Sequence, residues 1–326
     1  MVAPFDLLGQ ELFTSVSIGI VFGSKDYLSP DQLLRDADIA MYEAKAHGKA
    51  NHVVFKAGMH MNTVKRLELE TDLRRGLDRN EFTAYYQPIV SLKTNSFIGF
   101  EALARWVHPK LGLINPKDFI PTAEETGLIL SIDRLVLKKA CRQFVEWQTQ
   151  FPESSLRFIS VNLSNKQLSQ PDFVEYIDRT IKDTGIDPNS LKLEITESVV
   201  VNDPKSASVT LSQLQGLGVQ IYIDDFGTGY SALSYLHKLP INGLKIDRSF
   251  IRRMGEHGEN QEIIRTILRL AEDLKIGVIA EGIETGHQLA QLKSLDCENG
   301  QGYLFSPPVD SEKAKAFIIE MQLTVG

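Results

Sequence analysis

Residues 191–225, "LKLEITESVVVNDPKSASVTLSQLQGLGVQIYIDD", decide the fold. An apolar strand-like run, "LKLEITE", is followed by a helical stretch over 205–217 and a second strand-like run, "VQIYIDD". Strand, helix, strand is the unit of a parallel sheet, because two parallel neighbours need a long crossover between them. The second run closes on Asp224 and Asp225 side by side. Successive side chains on a strand point to opposite faces, and like charges in contact repel. The pair therefore predicts that strand geometry ends here and that positive charge lies between the two carboxylates.

The same alternation continues in both directions from residue 82 onward. Strand-like runs are "FTAYYQPIV", "FIGFEALAR", "LRFISVNLS", "LKLEITE", "VQIYIDD", "NGLKID", "KIGVIAEG" and, less clearly, "NGQGYLF". Helical runs between them include 130–148, 171–184, 205–217, 260–274 and 285–295. Only "SLKTNS" separates the first two strands, too short for a parallel crossover, so they should pair as an antiparallel hairpin. These features predict an α/β fold, a modified (β/α)8 TIM-type barrel with an antiparallel first strand; an open doubly wound sheet is the alternative. Glu101, Asn162, Glu194, Asp224 with Asp225, Lys245 with Asp247, Glu281 and Gln301 each interrupt or close one of the apolar runs. In a barrel the C-terminal strand ends share one rim, where active sites sit, so these residues should converge. Acids with an amide make an oxygen donor set, suited to Mg²⁺ or Mn²⁺.

The N-terminal part is smaller. Residues 1–57 read as a strand in "TSVSIGIVFG", a helix in "SPDQLLRDADIAMYEAKAHGK" and a strand in "NHVVF", a small α/β fragment that cannot bury a core alone. Ser29, Pro30 and Gly48 suit the N-cap, first and stop positions of that helix. In 61–79, Leu69, Leu73 and Leu77 lie at i, i+4 and i+8, one apolar face for packing. The boundaries read from this are 1–60, a linker and first helix over 61–80, and a barrel over 81–326.

Bulk numbers narrow the function classes. With 326 residues, 43% hydrophobic and 24% charged, the chain has the make-up of a soluble globular protein with a sizeable core. A formal net charge of −7 offers no global basic field for a nucleic acid polymer, so an anionic substrate needs a metal ion or a focused Arg or Lys. Cys141 and Cys297 lie outside any CxxC spacing, which fits a reducing compartment. Neither a membrane-length apolar run nor a signal-peptide layout is visible, and a cytoplasmic location is expected, including as part of a longer membrane-attached or sensor-linked protein. His47 and His52 flank Gly48 instead of sharing a helix face, so metal ligation is not expected of them. Trp106 and Trp147 read as packing residues, and Arg74–Arg75 and Arg252–Arg253 as solvated helix faces.

Two resemblances sharpen this reading. "SVSIGI" and "LLRDADIAMYEAKAHGKANHVVF" resemble the C-terminal part of a GGDEF (diguanylate cyclase) domain over roughly residues 12–57. Lys45 matches a lysine which that family uses near nucleotide phosphate, but the signature hairpin and metal-binding acids are not in 1–57, so no cyclase activity is expected. "EALAR" at 101–105, "VNLS" at 161–164, "EITES" at 194–198, "DDFGTGYSAL" at 224–233, "LKID" at 244–247, "AEGIET" at 280–285 and "QGYLFSPP" at 301–308 resemble, in order, the EAL family of cyclic di-GMP phosphodiesterases. Pro307 departs from the basic residue that family often carries there.

The EAL resemblance implies hydrolysis of cyclic di-GMP to the linear dinucleotide pGpG with two ions, Mg²⁺ or Mn²⁺, per site. It implies Glu101, Asn162, Glu194 and Asp224 as ligands of one metal, Asp224 as the bridge, and Asp225 and Glu281 near the second. Lys245 would sit beside the attacking water, Gln301 would help position water, and Asp247 would be a supporting acid. Arg105, four residues after Glu101, should face the same side and suits a phosphate. Gln87, Leu103, Glu284 and Pro308 are further substrate contacts. Glu197 would anchor the loop of Gly227, Thr228 and Gly229. Homodimerisation through the barrel, common in that family, is a further expectation. The alternative is a catalytically weak or inactive member that senses cyclic di-GMP; the presence of every acid, the lysine and the GTGY loop favours the enzyme.

Overall fold

The computed structural model describes the chain except for residues 1–4, 8, 9, 13, 25, 26, 47–49, 203, 228–235, 255–258, 325 and 326. Two compact units emerge, residues 1–72 and 73–326. The first holds an antiparallel hairpin, β1 (Phe5–Leu7) with β2 (Gln10–Leu12), and a parallel pair, β3 (Ile18–Ile20) with β4 (His52–Val54). The hairpin was not expected from the sequence. Between β3 and β4 runs the helix Pro30–Ala46, opening on proline, whose fixed φ and missing N–H suit a first turn. Ile39, Ala40 and Ala44 are its buried apolar residues, while Leu34 and Tyr42 are exposed. The stop expected at Gly48 lies outside the described residues.

The second unit is a closed barrel. Its strands are β5 (Phe82–Ser91), β6 (Phe97–His108), β8 (Phe158–Leu163), β9 (Leu191–Thr196), β10 (Gln220–Phe226), β11 (Gly243–Ile246), β12 (Gly277–Ala280) and β13 (Asn299–Gly300). A short β7 (Gly112–Ile114) folds back on the end of β6 outside the ring. β6, β8, β9, β10, β11, β12 and β13 pair in parallel in that order. β5 closes the ring by pairing antiparallel with both β13 and β6. The short "SLKTNS" link and the antiparallel first strand thus go together, and no open edge remains in the ring. The last strand is shorter than "NGQGYLF" suggested: only two residues pair before the chain turns.

The helices follow the expected places within a few residues: Ile129–Gln150, Phe173–Thr184, Pro204–Gly216, Glu259–Leu274 and Gly286–Ser294. Ile129–Gln150 buries Ile132, Val136, Ala140, Phe144 and Trp147 at helical spacing against the first hairpin. There Trp147 meets Tyr86 at 4.7 Å and Phe100 at 5.0 Å between ring centres, edge-on and tilted. Phe82, Trp106 and Phe119 form a second aromatic group, with Trp106 Nε1 donating to Glu81 Oε2 at 2.9 Å. Each such fully buried large side chain contributes about 2–3 kcal/mol of burial free energy. Both tryptophans are packing residues. Leu73, in the helix Gly58–Asp78, is fully buried and Leu77 partly so.

Inside the barrel, Lys192 and Tyr222 sit two residues before Glu194 and Asp224 and share their inward face. The Lys192 ammonium lies 3.3 Å from the Phe158 ring centre and donates to Tyr222 Oη at 3.0 Å. Burial pushes its pKa down to about 7. Tyr222 fits only because the neighbouring strand starts with glycine: a Cβ on Gly243 would stand 2.1 Å from the Tyr222 ring.

Candidate active site

Seven strands each deliver a polar side chain to the same rim. Lys245 of β11 is completely buried and is the hub. Its Nζ lies 2.6 Å from Glu194 Oε2, 2.6 Å from Glu281 Oε1, 3.3 Å from Glu101 Oε2 and 3.3 Å from Asp224 Oδ1. Asn162 Nδ2 donates to Glu101 Oε1 and Gln301 Nε2 to Glu101 Oε2, each at 2.5 Å; Gln301 Nε2 also reaches Glu281 Oε1 at 3.2 Å. Register explains the convergence: Asn162 is level with Glu194 in the ladder, while Glu281 and Gln301 follow directly on β12 and β13.

Four carboxylates on one ammonium leave an excess of negative charge, and the proton affinities record it. Burial alone would lower Lys245, but Asp224, Glu101, Glu194 and Glu281 hold it well above the usual lysine range. Burial raises Glu194, and the repulsion of Glu101 adds to it. Glu281 is pushed up to about 8, first by burial and then by Asp224 and Glu101 against the pull of Lys245. Burial would raise Glu101 too, yet Lys245 and the amides of Gln301 and Asn162 bring it below the ordinary value.

The two aspartates answer the question of strand parity differently from the sequence expectation. The strand does not end at them; it runs on to Phe226, with a register shift between Ile223 and Phe226. Asp225 takes the left-handed conformation, φ +53°, and its N–H bonds its neighbour's Oδ1 at 3.0 Å. A bulge of this kind re-aims a side chain, and Asp224, Asp225 and Glu281 come to offer carboxylate oxygens within 4.8 Å of one another. Asp225 is also hydrogen-bonded to Asp247; burial and Asp224 raise it to about 6. Asp247 accepts the Ser249 N–H at 2.9 Å as N-cap of the short helix Arg248–Arg252, and the Ser249 bonds hold it below the ordinary value despite burial.

The remaining predicted residues lie around this centre. Gln87 is buried and donates to the Ser306 carbonyl at 3.2 Å, in the segment that carries Pro308. Leu103 and Arg105 follow Glu101 along β6, half-buried. The Arg105 guanidinium lies 5.5 Å from the Tyr85 ring centre and donates to the Ala104 carbonyl at 2.8 Å. Glu197 is buried, and its Oε2 accepts the Gly227 N–H at 3.3 Å. Thr228 and Gly229 lie outside the described residues. Glu284 is exposed, on the loop after β12.

Sequence reasoning missed two supports. Asp133 accepts both the N–H and the hydroxyl of Ser164, at 3.1 and 2.6 Å, bracing the turn just after Asn162. Lys192 and Tyr222 line the layer below the acids, and their two-residue offset from Glu194 and Asp224 was a readable signal.

The donor set fits a hard divalent cation. Besides the three clustered carboxylates, Glu194 Oε1 and Gln301 Oε1 are buried oxygens without a hydrogen-bond partner, and oxygen-only ligation suits Mg²⁺ or Mn²⁺.

The fold and site define a class: an α/β barrel with one reversed strand and an acid-rich rim gathered on a buried lysine. The description "EAL domain" matches residues 70–308 and "Diguanylate cyclase, GGDEF domain" matches residues 1–51. The chain belongs to the EAL domain family, with a GGDEF segment before the barrel. It is 42% identical over 316 residues to an uncharacterized protein of Mycobacterium tuberculosis, covering 97% of this chain and 50% of the relative. To the bifunctional diguanylate cyclase/cyclic di-GMP phosphodiesterase MucR of Pseudomonas aeruginosa it is 39% identical over 315 residues, covering 97% and 46%. The chain thus spans about half the length of these curated relatives. The solved PaMucR phosphodiesterase in complex with c-di-GMP is similar at TM-score 0.72 and 40% identity, over 76% of this chain and 99% of that one. The FimX EAL domain of Pseudomonas aeruginosa bound to c-di-GMP is similar at TM-score 0.68 and 26% identity, over 74% and 96%.

Proposed function

We infer that the chain hydrolyses cyclic di-GMP to linear pGpG. The observation that carries this reading is the gathering of Glu101, Glu194, Asp224 and Glu281 on Lys245 at the C-terminal rim of the barrel. Membership of the EAL family and the likeness to a phosphodiesterase solved with c-di-GMP support it.

Glu101, Asn162, Glu194, Asp224, Asp225 and Glu281 would hold two divalent ions, with Asp224 common to both. When bound, such ions supply Lewis-acid relief of phosphodiester charge and make water at the site more acidic. The rest falls to the chain. Arg105, free of any carboxylate partner in the salt bridges described and held by its bond to the Ala104 carbonyl, would offer its remaining guanidinium donors to a phosphate. Lys245 Nζ keeps its proton throughout, a fixed positive charge beside the reacting phosphorus. Gln301 Nε2 fixes the Glu101 and Glu281 carboxylates in place. Gln87, Leu103, Asp247, Glu284 and Pro308 would contact or frame the guanine and sugar. Glu197, through Gly227, would tie the following loop, Thr228 and Gly229 included, to β9. In the overall change, water adds its oxygen to one phosphorus and its proton ends on the departing sugar oxygen, leaving a 5′-phosphate and a 3′-hydroxyl.

In domain terms, residues 1–60 would be the end of a GGDEF-like domain, 61–80 the linker and first helix, and 81–326 the phosphodiesterase barrel. A cytoplasmic setting and a homodimer through the barrel go with this reading. The test is incubation with cyclic di-GMP and Mg²⁺ or Mn²⁺, following linear product by chromatography. Accumulation of pGpG, lost in Glu101→Ala, is expected. Protein that binds cyclic di-GMP but forms no product with either metal would be a sensor instead.

A further inference from the structure

We propose that Asp133, on the helix Ile129–Gln150, is a positioning residue for the candidate ion site: through Ser164 it holds the end of β8 so that the Asn162 amide keeps its oxygen toward the ion. The consequence for ion binding rests on the function proposed above; the placing of Asn162 rests on hydrogen bonds alone. Only one orientation of the Asn162 amide serves both its neighbours. Its Nδ2 donates to Glu101 Oε1 at 2.5 Å, and its Oδ1 accepts no hydrogen bond among the described residues. Turned over, the amide would aim its nitrogen at the ion and its oxygen at the Glu101 carboxylate, wrong at both ends. Asn162 is the last residue but one of β8, level with Glu194. The ladder ends at Leu163, so the next fixed point of the backbone governs how this strand end sits.

That point is Ser164. Asp133 Oδ2 accepts its N–H at 3.1 Å and its hydroxyl at 2.6 Å. The Ser164 hydroxyl oxygen in turn accepts the Gln167 N–H at 3.3 Å, as N-cap of the single turn Asn165–Leu168. Asn165 adds bonds to Thr196 and Ser198, at 3.1 and 3.2 Å, but these are exposed and water competes for them. The Asp133 bonds are part-buried and charge-assisted, and such bonds are about twice as strong as neutral ones. The grip of Asp133 therefore dominates.

Stability does not account for the acid. Its helix buries Ile132, Val136 and Ala140, and Asp133 makes no ion pair among the described residues. Arg134, next in sequence, is taken by Asp172 at 2.7 Å, and Lys166 donates to the Glu124 carbonyl. Burial pushes Asp133 up to about 6 against the two Ser164 bonds, and Glu124 adds to the rise. A half-buried carboxylate without a cation is costly. Both of its hydrogen bonds fall on the residue two places after a candidate ion ligand.

The test uses the whole chain at pH 8, where Asp133 is ionised. By NMR of the metal-free protein, the Asn162 Nδ2 protons should exchange with solvent about tenfold faster in Asp133→Ala. The Gln301 Nε2 protons, on the same Glu101 carboxylate, should change by less than about twofold. By electron paramagnetic resonance, Asp133→Ala should bind Mn²⁺ about tenfold more weakly, as loss of a supporting hydrogen bond does at other metal sites. The same change made in Asn162→Ala should cost less than about twofold more, because the two act through one amide. Asp133→Asn, which keeps the shape and an acceptor oxygen, should retain affinity within about threefold. Should Asp133→Ala not fold, Ser164→Ala, which removes only the hydroxyl, takes its place in each measurement with a change of about threefold. Equal acceleration at Asn162 and Gln301, or additive losses with Asn162→Ala, would overturn the proposal, since Asp133 would then act through general stability. So would equal losses in Asp133→Asn and Asp133→Ala, which would make its charge the operative feature. Unaltered protein that binds no Mn²⁺ counts against the proposed function alone, because exchange at Asn162 decides the placing of its amide without an ion.

Discussion

Divalent-ion binding and pH should be coupled through Glu281. Its carboxyl is raised to about 8, and Asp225, within the same 4.8 Å cluster, to about 6. At pH 7 a carboxyl of pKa 8 is protonated about ten to one, so an ion must displace a proton at about 1.4 kcal/mol per pH unit below 8. Mn²⁺ affinity should therefore rise about tenfold per unit between pH 6 and 8 and level off above. Electron paramagnetic resonance of free Mn²⁺ measures the affinity, and calorimetry in two buffers of different ionisation enthalpy counts the released proton. Stability of the metal-free protein should move the opposite way. Glu281 binds its proton more tightly folded than unfolded, so the folded state holds more protons between pH 4.5 and 8, and stability falls as pH rises through that window. The full rise corresponds to roughly 5 kcal/mol, shared among coupled acids. Glu281→Gln should flatten both curves. Mn²⁺ affinity constant within twofold from pH 6 to 8, or an unchanged slope in Glu281→Gln, would refute the reasoning.

Lys192 should give a stability slope of opposite sign at higher pH. Held near 7 when folded and near 10.5 when unfolded, it leaves the unfolded state with more protons between those values, so stability rises with pH there; urea titrations should show that slope vanish in Lys192→Met. Gly243→Ala, which puts a methyl 2.1 Å from the Tyr222 ring, should cost about 1–3 kcal/mol by denaturation, and Tyr222→Val should recover part of it. Lys245→Met should destabilise the metal-free barrel by about 3–5 kcal/mol at pH 8, because four carboxylates lose their shared cation; the loss should shrink at pH 5 and when Mn²⁺ is added. Asp225→Val should cost about 1–3 kcal/mol more than Asp225→Asn, since a β-branched residue is strained at φ +53°.

The fold was legible because barrel strands and helices carry different periods. "SLKTNS" alone fixed the sense of the first pair, since six residues cannot cross over a sheet. What resisted reading was length. β13 pairs over two residues although "NGQGYLF" looks like a full strand, because Gly302 and Tyr303 turn the chain back toward Ile283, whose carbonyl accepts the Leu304 N–H. Apolar composition marks a segment as buried, but burial in a turn and burial in a ladder leave the same trace.

The site was legible for a different reason. Each of its acids interrupts or closes an apolar run, and barrel topology then brings these positions together without any further information in the sequence. The role of Lys245 was not visible in that way. A lysine closing "NGLKID" carries no mark that four carboxylates will meet on its nitrogen, since those partners come from β6, β9, β10 and the end of β12. Nor does "DD" announce a bulge: Asp225 reaches the cluster by taking a left-handed backbone that aspartate tolerates and most residues do not. The charge between the two aspartates that the pair seemed to demand is therefore met in part from within the chain. One ammonium serves Asp224, while Asp225 shares hydrogen bonding with Asp247 and rises to about 6. One ammonium cannot neutralise four acids, and that remaining imbalance, with two buried oxygens left unpartnered, is what makes the rim a place for divalent cations.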